Sequence, residues 1–517
     1  MIDTFGDRYL EYVFNYYPDL DASVLSRLEM LVENTNWDSP ATSRDWNNLA
    51  VIDLLNASDT SDLQVRTDFI QEAKVKLERG FGIDQSLHCA AHYILTQGLL
   101  GEDGSANSLA LHTVLNTPQT NTYLESIEVG LIYLPSLPRG DQEFEGILNA
   151  DSGYKQAVML MAEVIRRSQF VFYNSSGTRF LRIANQLFAD SPSISLMLGT
   201  VQLMSNQPEG VLTLHHARRL SPDYAPILQA LYLSYRNLGD LNTARYWLNI
   251  ANDIRVSQNS DAVEWQWTQL SLDESVTYVG FENNLILAVE PSFRSIVTGV
   301  LIAQGDWFER EIEFWRDRIT EGMTIIDVGA NAGVYTFSAA KRVGESGLVL
   351  AIEPFSQCVN YLNETCRINQ LDWVKVCAGA ASDRNGKAKL AVGSASELNE
   401  VVADDSVVSG DFEEVECFTL DSLLDKYDVK RVDLLKIDAE GHELQVLKGS
   451  DRLLQEFAPI ILYENIAGTQ GSNLPVADYL RNHGYKLFRY QPYLKNLVPI
   501  EIGHDFQGSL NIIAVPQ

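Results

Sequence analysis

The chain has 517 residues, of which 45% are hydrophobic, 21% charged and 10% aromatic, a composition that excludes disordered and fibrous classes and a length too great for one hydrophobic core. A formal net charge of −30 repels phosphate backbones and anionic membranes, so nucleic acid is not an expected partner. Five cysteines with no CxxC spacing argue against a disulfide framework and a thiolate zinc site.

In chain order, the opening MIDTFGDRYLEYVFNYY has acids and aromatics where a secretory leader carries basic residues ahead of an apolar run. No later segment is long and apolar enough to span a bilayer, and a cytoplasmic protein is expected. Residues 1–150 read as an N-terminal helical domain, broken at SPATS, GEDGSANS and SLPRGDQEFEG. His88 and His92 of LHCAAHYIL stand four apart and could share a metal, but no second ligand pair accompanies them, which favours buried structural imidazoles.

Residues 151–256 read as helical repeats. In YAPILQALYLSYRNLGDLNTARYWLNIAND, Leu231, Tyr235, Gly239, Ala244, Leu248 and Ala251 fall where two packed helices need apolar contacts, a turn glycine and small residues. A backward shift of 34 residues sets Met197 under Leu231, Leu214 under Leu248 and Ala217 under Ala251, and in that period the segment resembles a tetratricopeptide repeat pair. Ser205 occupies the turn-glycine position, and no tryptophan opens either pair. Such repeats stack into a concave surface, so a protein partner, self-association or packing on the second domain is expected.

Residues 257–304 form a connector with strand-like runs VTYVGFE and LILAVE. From 305 to 517 strand and helix patterns alternate, which predicts an α/β domain: a mostly parallel seven-stranded sheet with helices on both faces. The strands are expected at Thr324–Val328, Leu348–Glu353, Val374–Ala378, Asp433–Asp438, Ile460–Glu464, Lys486–Tyr490 and Leu510–Val515. An extra segment from Ala388 to Cys417 flanks an acidic loop with hairpin-like runs, and Gly393–Asp411 is the expected lid.

The first of these strands ends in IIDVGANAG, a glycine turn of the kind that aims backbone N–H groups at an anion. A nucleotide P-loop requires GK[ST], which is absent, and Asn331 stands where a dinucleotide turn needs its second glycine. S-adenosylmethionine, with one carboxylate and one ammonium, suits the wider turn. Asp327 would meet the ammonium and the Gly329–Asn331–Gly333 backbone the carboxylate. Glu353, ending LVLAIE, would take the ribose hydroxyls, although an acid there also suits NAD. Ser382 or Asp383 of AGAASD would contact the adenine amine.

With GDWFEREIEF, IIDVGANAGVYTFSAA, LAIEP, AASDRNG, TLDSL, LLKIDAEGHELQVLKG and PIILYEN in that order, the second half resembles the FkbM-type methyltransferase family, a Rossmann-like class of S-adenosylmethionine enzymes. The resemblance covers most of residues 305–517. It implies O-methylation of a hydroxyl, with sugars and macrolide products among the family's acceptors. The helical first half lies outside it.

Ligands of such sheets bind beyond the carboxyl ends of the strands, where DLLKID delivers Asp438, followed by Glu440, His442 and Glu443, and the next strand delivers Glu464 and Asn465. Methyl transfer to an alkyl hydroxyl needs in-line positioning and help in removing the proton. Two assignments are open. Asp438 or His442 acts as general base with Glu464 as orienting group, or Asp438, Glu464 and Asn465 hold a Mg²⁺ ion, as in catechol-type O-methyltransferases. The structural alternatives are that Asp438 caps a helix, that Glu440 and Glu443 answer a helix dipole, and that Lys436 is a buried lysine paired with one of these acids. A rival reading is a repeat-based scaffold with an inactive or regulatory methyltransferase domain. Intact Asp327, Glu353 and Asp438 argue against it.

Overall fold

The computed structural model describes all residues except 1–4, 102–112, 114–116, 118–119, 138, 168–171, 173–174, 394–398, 403–411, 466–471, 501–505 and 507–508. The chain divides into two compact units, Met1–Leu198 with Gln491–Asn496, and Gly199–Tyr490 with Leu497–Gln517.

The first unit is helical. Its helices include Phe5–Tyr16, Ala22–Glu33, Ser43–Asp59, Leu63–Asp84, Leu87–Leu99 and Gly153–Arg166. The N-termini are capped as their sequences dictate; Thr42 and Asp45, for example, form a reciprocal capping box. Through this bundle runs an extended segment, 130–134, with no strand beside it among the described residues. A buried backbone without a ladder must find other partners, and here side chains supply them. Gly130 N–H donates to Gln156, Leu131 to Asn48, Ile132 to the Tyr9 hydroxyl, Tyr133 to His92 Nε2 and Leu134 to the Tyr12 hydroxyl, at 2.9–3.1 Å. Asn47 donates in turn to the Leu131 carbonyl at 2.9 Å.

That arrangement explains the paired histidines. His92 Nδ1 meets Asn47 Oδ1 at 2.7 Å and His88 Nε2 meets Gln156 Oε1 at 2.9 Å, so both imidazoles are engaged in holding the segment and its partners. The metal reading at this place has no support.

The second unit contains the helices Gly210–Leu220, Ala225–Asn237 and Leu241–Ser257, the hairpin β1 (Thr277–Phe281) and β2 (Leu285–Val289), and then the main sheet. Its strands are β3 (Thr324–Val328), β4 (Leu348–Glu353), β5 (Val374–Ala378), β10 (Leu434–Ile437), β11 (Ile460–Glu464), β12 (Tyr485–Gln491), β13 (Asn496–Pro499) and β14 (Asn511–Pro516). The order is β13-β12-β14-β11-β10-β3-β4-β5. A smaller sheet of β6 (Ala380–Ala381), β7 (Gly386–Ala391), β8 (Glu400–Val402) and β9 (Phe412–Phe418) is inserted after β5. The lid expected at 393–411 falls largely outside the described residues.

All seven expected strands form, but the sheet has eight and is mixed. Five strands from β11 to β5 run parallel, whereas β14 pairs antiparallel with both β11 and β12. β14 is inserted between β11 and β12 and runs against both.

The sequence divisions at 150, 256 and 304 do not coincide with the observed units, because the connector and the later helices pack on the sheet domain. Gln229 donates to Thr277 and to the Tyr278 carbonyl at 3.0 and 2.8 Å. Thr365 and Asn369, on a sheet-covering helix, accept from the β2 amides of Ala288 and Ile286 at 2.9 and 3.1 Å. The helix hairpins also pass close, and a Cβ on Gly210 would lie 2.6 Å from the Gly199 carbonyl. None of the described helices is long and apolar enough to cross a membrane.

Burial lowers the pKa of His88 to about 4 and of His92 to about 3, from an ordinary 6.5. Both folded values lie below the unfolded one, so the unfolded chain takes up more protons and stability falls as pH drops below 6.5. Acidification from pH 7 to 5 should therefore destabilise the first unit by a few kcal/mol, about 1.4 per pH unit for each histidine. Chemical unfolding across that range checks this, and His92→Gln should flatten the dependence; a pH-independent midpoint would contradict the neutral, amide-accepting histidine.

Candidate active site

The site lies at the carboxyl ends of β3, β4, β10 and β11. After β3 the chain turns within five residues into the helix Val334–Val343, and Gly329, Asn331 and Gly333 all adopt positive φ, at 75°, 47° and 92°. A Cβ on Gly329 would stand 1.7 Å from the Asp438 carbonyl oxygen, so the turn is pressed directly against the end of β10.

The turn's amides are mostly engaged within the protein. Gly329 and Ala330 donate to the Ile352 carbonyl at 3.0 and 3.1 Å, Gly333 to Ala330 at 2.8 Å, and Asn331 to Glu353 Oε2 at 2.8 Å. The expectation that the Gly329–Gly333 backbone offers its N–H groups to a ligand carboxylate is therefore corrected for these positions. What the turn provides is a tight backbone path that fixes two acids.

Those acids are Asp327 and Glu353. Asp327 is 1% exposed; its Oδ2 accepts from Thr336 Oγ1 at 2.6 Å while the buried Oδ1 has no partner among the described residues. Burial raises its pKa against the pull of Lys436. Glu353 accepts from Asn331 N–H through one oxygen and from Phe355 N–H through the other, both at 2.8 Å. Burial pushes its pKa to about 7, in part against those two hydrogen bonds. A buried carboxylate oxygen without a donor is a costly feature unless a ligand supplies one. The α-ammonium of S-adenosylmethionine would do so at Asp327 Oδ1, and a pair of ribose hydroxyls suits the remaining lone pairs of Glu353.

Beside them Lys436, 3% exposed on β10, stands in register with Asp327 on β3 and donates to Asp438 Oδ2 at 2.7 Å. Its ammonium lies 4.6 Å from the centre of the Tyr335 ring, and the Tyr335 hydroxyl donates to Glu309 Oε2 at 2.7 Å. Burial alone would lower the Lys436 pKa, yet Asp438, Asp327 and Glu309 together hold it raised, so the lysine is charged. Glu309 and Tyr335 lie in the family-like stretches GDWFEREIEF and VYTF, and that position is the signal the sequence offers for them.

The Asp438, Glu440 and Glu464 carboxylates form a further cluster, with oxygens within 4.8 Å of one another. One Glu464 oxygen is buried with no partner among the described residues. Burial, followed by the charges of Asp438, Glu440 and Glu443, holds Glu464 far above the usual carboxylate range, so it carries a proton at neutral pH. The Asn465 side chain is engaged elsewhere: its amide donates to the Phe506 and Ser509 carbonyls at 3.0 and 2.9 Å, and its Oδ1 accepts from Asn473 N–H at 3.3 Å.

Two further residues are structural in their contacts. Glu443 is fully buried, accepting from Ala439 and Gly441 N–H at 3.0 Å and from Asn473 at 3.0 Å, which clamps the turn after β10. His442 Nε2 meets Ser382 Oγ at 2.9 Å, tying that turn to the loop after β6. Ser382 is buried, whereas Asp383 is exposed and pairs with Arg384 at 3.5 Å.

A doubly wound sheet with a glycine turn after its first strand, an acid ending the second and a carboxylate cluster at the fourth and fifth defines a Rossmann-like methyltransferase domain. Residues 327–487 match the family model described as the methyltransferase FkbM domain, and the second unit carries an FkbM methyltransferase domain. Over 156 residues the chain is 29% identical to methyltransferase sdnD of Sordaria araneosa, covering 25% of this chain and 60% of that protein. The chain thus spans less than two thirds of that relative. The crystal structure of methyltransferase FkbM from Methylobacillus flagellatus KT overlaps 42% of this chain and 54% of its own, at 16% identity and a TM-score of 0.26. That of M. jannaschii TYW2 in complex with AdoMet overlaps 47% and 86%, at 16% identity and a TM-score of 0.25. Likenesses at that level leave the chemistry to be read from the residues of the site.

Two glycines separate strain from crowding. Gly441 has φ 92° with open space around it, whereas Gly329 combines φ 75° with the 1.7 Å approach to Asp438. Gly441→Ala should lose about 1–2 kcal/mol, and Gly329→Ala at least about 1–3 kcal/mol more from overpacking. Thermal unfolding of both variants checks this; equal losses would contradict the close packing of turn and β10.

Proposed function

We propose that the second unit is an S-adenosylmethionine-dependent O-methyltransferase acting on a hydroxyl of a sugar, glycan or glycosylated metabolite. The observation that carries the cofactor assignment is the buried, partnerless Oδ1 of Asp327 beside Glu353, an acceptor pair suited to an ammonium and a diol. When bound, S-adenosylmethionine supplies an electrophilic methyl group on a sulfonium centre.

The protein's own residues divide the acid–base work by environment. Asp438 is partly exposed and held by the charged Lys436 at 2.7 Å, which keeps its carboxylate oriented to take a hydroxyl proton. Glu464, protonated at neutral pH by its burial and acidic neighbours, donates a hydrogen bond and orients the acceptor or the base. The ion pair that orients Asp438 and the burial that keeps Glu464 protonated favour this division. His442, engaged with Ser382, serves to position the adenine side of the site in place of a second base.

A second reading is favoured by the proximity of the carboxylates. Asp438, Glu440 and Glu464 would hold a Mg²⁺ ion, a hard cation suited to oxygen ligands, and the ion would lower the pKa of an acceptor hydroxyl. Other parts of the reading are expectations of the same kind: a cytoplasmic location, and a protein partner or self-association through the helical pairs. The scaffold alternative is disfavoured by an acceptor set that has no structural use for an unpartnered carboxylate oxygen.

Asp438→Asn should lower turnover by roughly 10²–10⁴-fold while S-adenosylhomocysteine binding stays within a few-fold. The assay is release of S-adenosylhomocysteine over a panel of glycosides, with and without EDTA. Loss in EDTA restored by Mg²⁺ selects the metal reading, insensitivity selects the general base, and near-normal turnover of the variant contradicts both.

A further inference from the structure

The first unit contains a cavity of about 460 Å³ that no part of the methyltransferase reading uses. It opens between the helices Phe5–Tyr16 and Ser43–Asp59, the end of the extended segment, and Tyr493. Its volume lies within the roughly 300–1,000 Å³ of small-molecule sites.

The lining is aromatic and polar together. Tyr12 packs 5.3 Å from Tyr16 at 65° and 5.7 Å from Tyr133 at 33° between ring centres and planes. The Tyr133 and Tyr493 hydroxyls meet at 3.1 Å. These tilted rings form a bent apolar wall without the parallel faces that would sandwich a flat base.

The charges balance. Arg8 and Arg66 face Glu11 and Asp59, and neither lysine nor histidine lines the cavity. Arg66 is committed to the carbonyls of Ala57, Thr60 and Tyr493. Arg8 pairs with Asp59, yet its buried Nε has no acceptor among the described residues. A phosphate would face two carboxylates and a quaternary ammonium two guanidinium groups, so neither ion is matched. A neutral ring with apolar C–H faces and hydroxyls that both give and accept hydrogen bonds matches every part of the lining.

We propose that this cavity is a saccharide-binding site, separate from the methyl-transfer site, that takes one neutral sugar ring or a disaccharide. The part-exposed Tyr12, Tyr16 and Tyr493 rings carry the C–H face, Arg8 Nε donates to a ring hydroxyl, and the Asp59 and Glu11 carboxylates accept from others. The proposal stands on the first unit alone and holds whether or not the acceptor of the second unit is a sugar.

The test is saturation-transfer NMR on the full chain with the methyl glycosides of glucose, galactose and mannose, maltose and lactose, against inorganic phosphate, choline and adenosine. At least one neutral glycoside should bind, with saturation strongest on its C–H protons. Arg8→Gln and Tyr493→Ala should each weaken it at least tenfold while S-adenosylhomocysteine binding is unchanged. Tyr493→Phe, which keeps the ring, should retain most of the affinity and guards against a folding defect in the alanine variant. No binding by any neutral glycoside, binding unaltered by Arg8→Gln, or stronger binding of phosphate, choline or adenosine would overturn the proposal.

Discussion

The active-site end of the sheet depends on a buried cation. Lys436 sits on β10 in register with Asp327 on β3, bonds Asp438 at the end of its own strand and lies over Tyr335, whose hydroxyl holds Glu309. A buried ammonium is tolerated only with compensating charge, and the acids that compensate it are those the cofactor and the acceptor would meet. One cation therefore allows several carboxylates to be packed together without all of them being neutralised. Its pull extends to Glu464 but is outweighed there by burial and by the charges of Asp438, Glu440 and Glu443, which hold that carboxyl far above the usual carboxylate range.

Much of the sheet was legible because buried parallel strands write themselves as apolar runs of fixed length. Thr324–Val328, Leu348–Glu353, Val374–Ala378 and Ile460–Glu464 have the expected limits, and the acids that matter stand at or beside their carboxyl ends. The direction of β14 was not legible from its own residues, since an apolar run does not encode which way it is traversed.

At the site, identity was legible and partnership was not. Asp327 and Glu353 could be picked out by position, but nothing in GANAG reveals that its amides bond Ile352 and Glu353 instead of facing outward. Asn465 stands where a ligand would by its place after β11, yet its amide donates to the carbonyls of Phe506 and Ser509, contacts made across a long stretch of chain. Glu440 reaches the carboxylate cluster from a left-handed residue at φ 49°, a conformation that sequence pattern does not forecast for glutamate. In the helical unit the same limit applies. His88, His92, Asn47, Asn48 and Gln156 are polar residues on buried faces, and only the extended segment that threads between them explains why each is there.

Asp327 and Glu353 are proposed to be the acceptor pair for the ammonium and ribose of S-adenosylmethionine. The most direct measurement is titration calorimetry of the full chain with S-adenosylhomocysteine, S-adenosylmethionine and NAD, repeated on Asp327→Ala. Binding of the two sulfur ligands but not NAD, lost in the variant while its thermal unfolding remains cooperative, is the predicted result. Binding of NAD in preference, or sulfur-ligand affinity undiminished by Asp327→Ala, would contradict it.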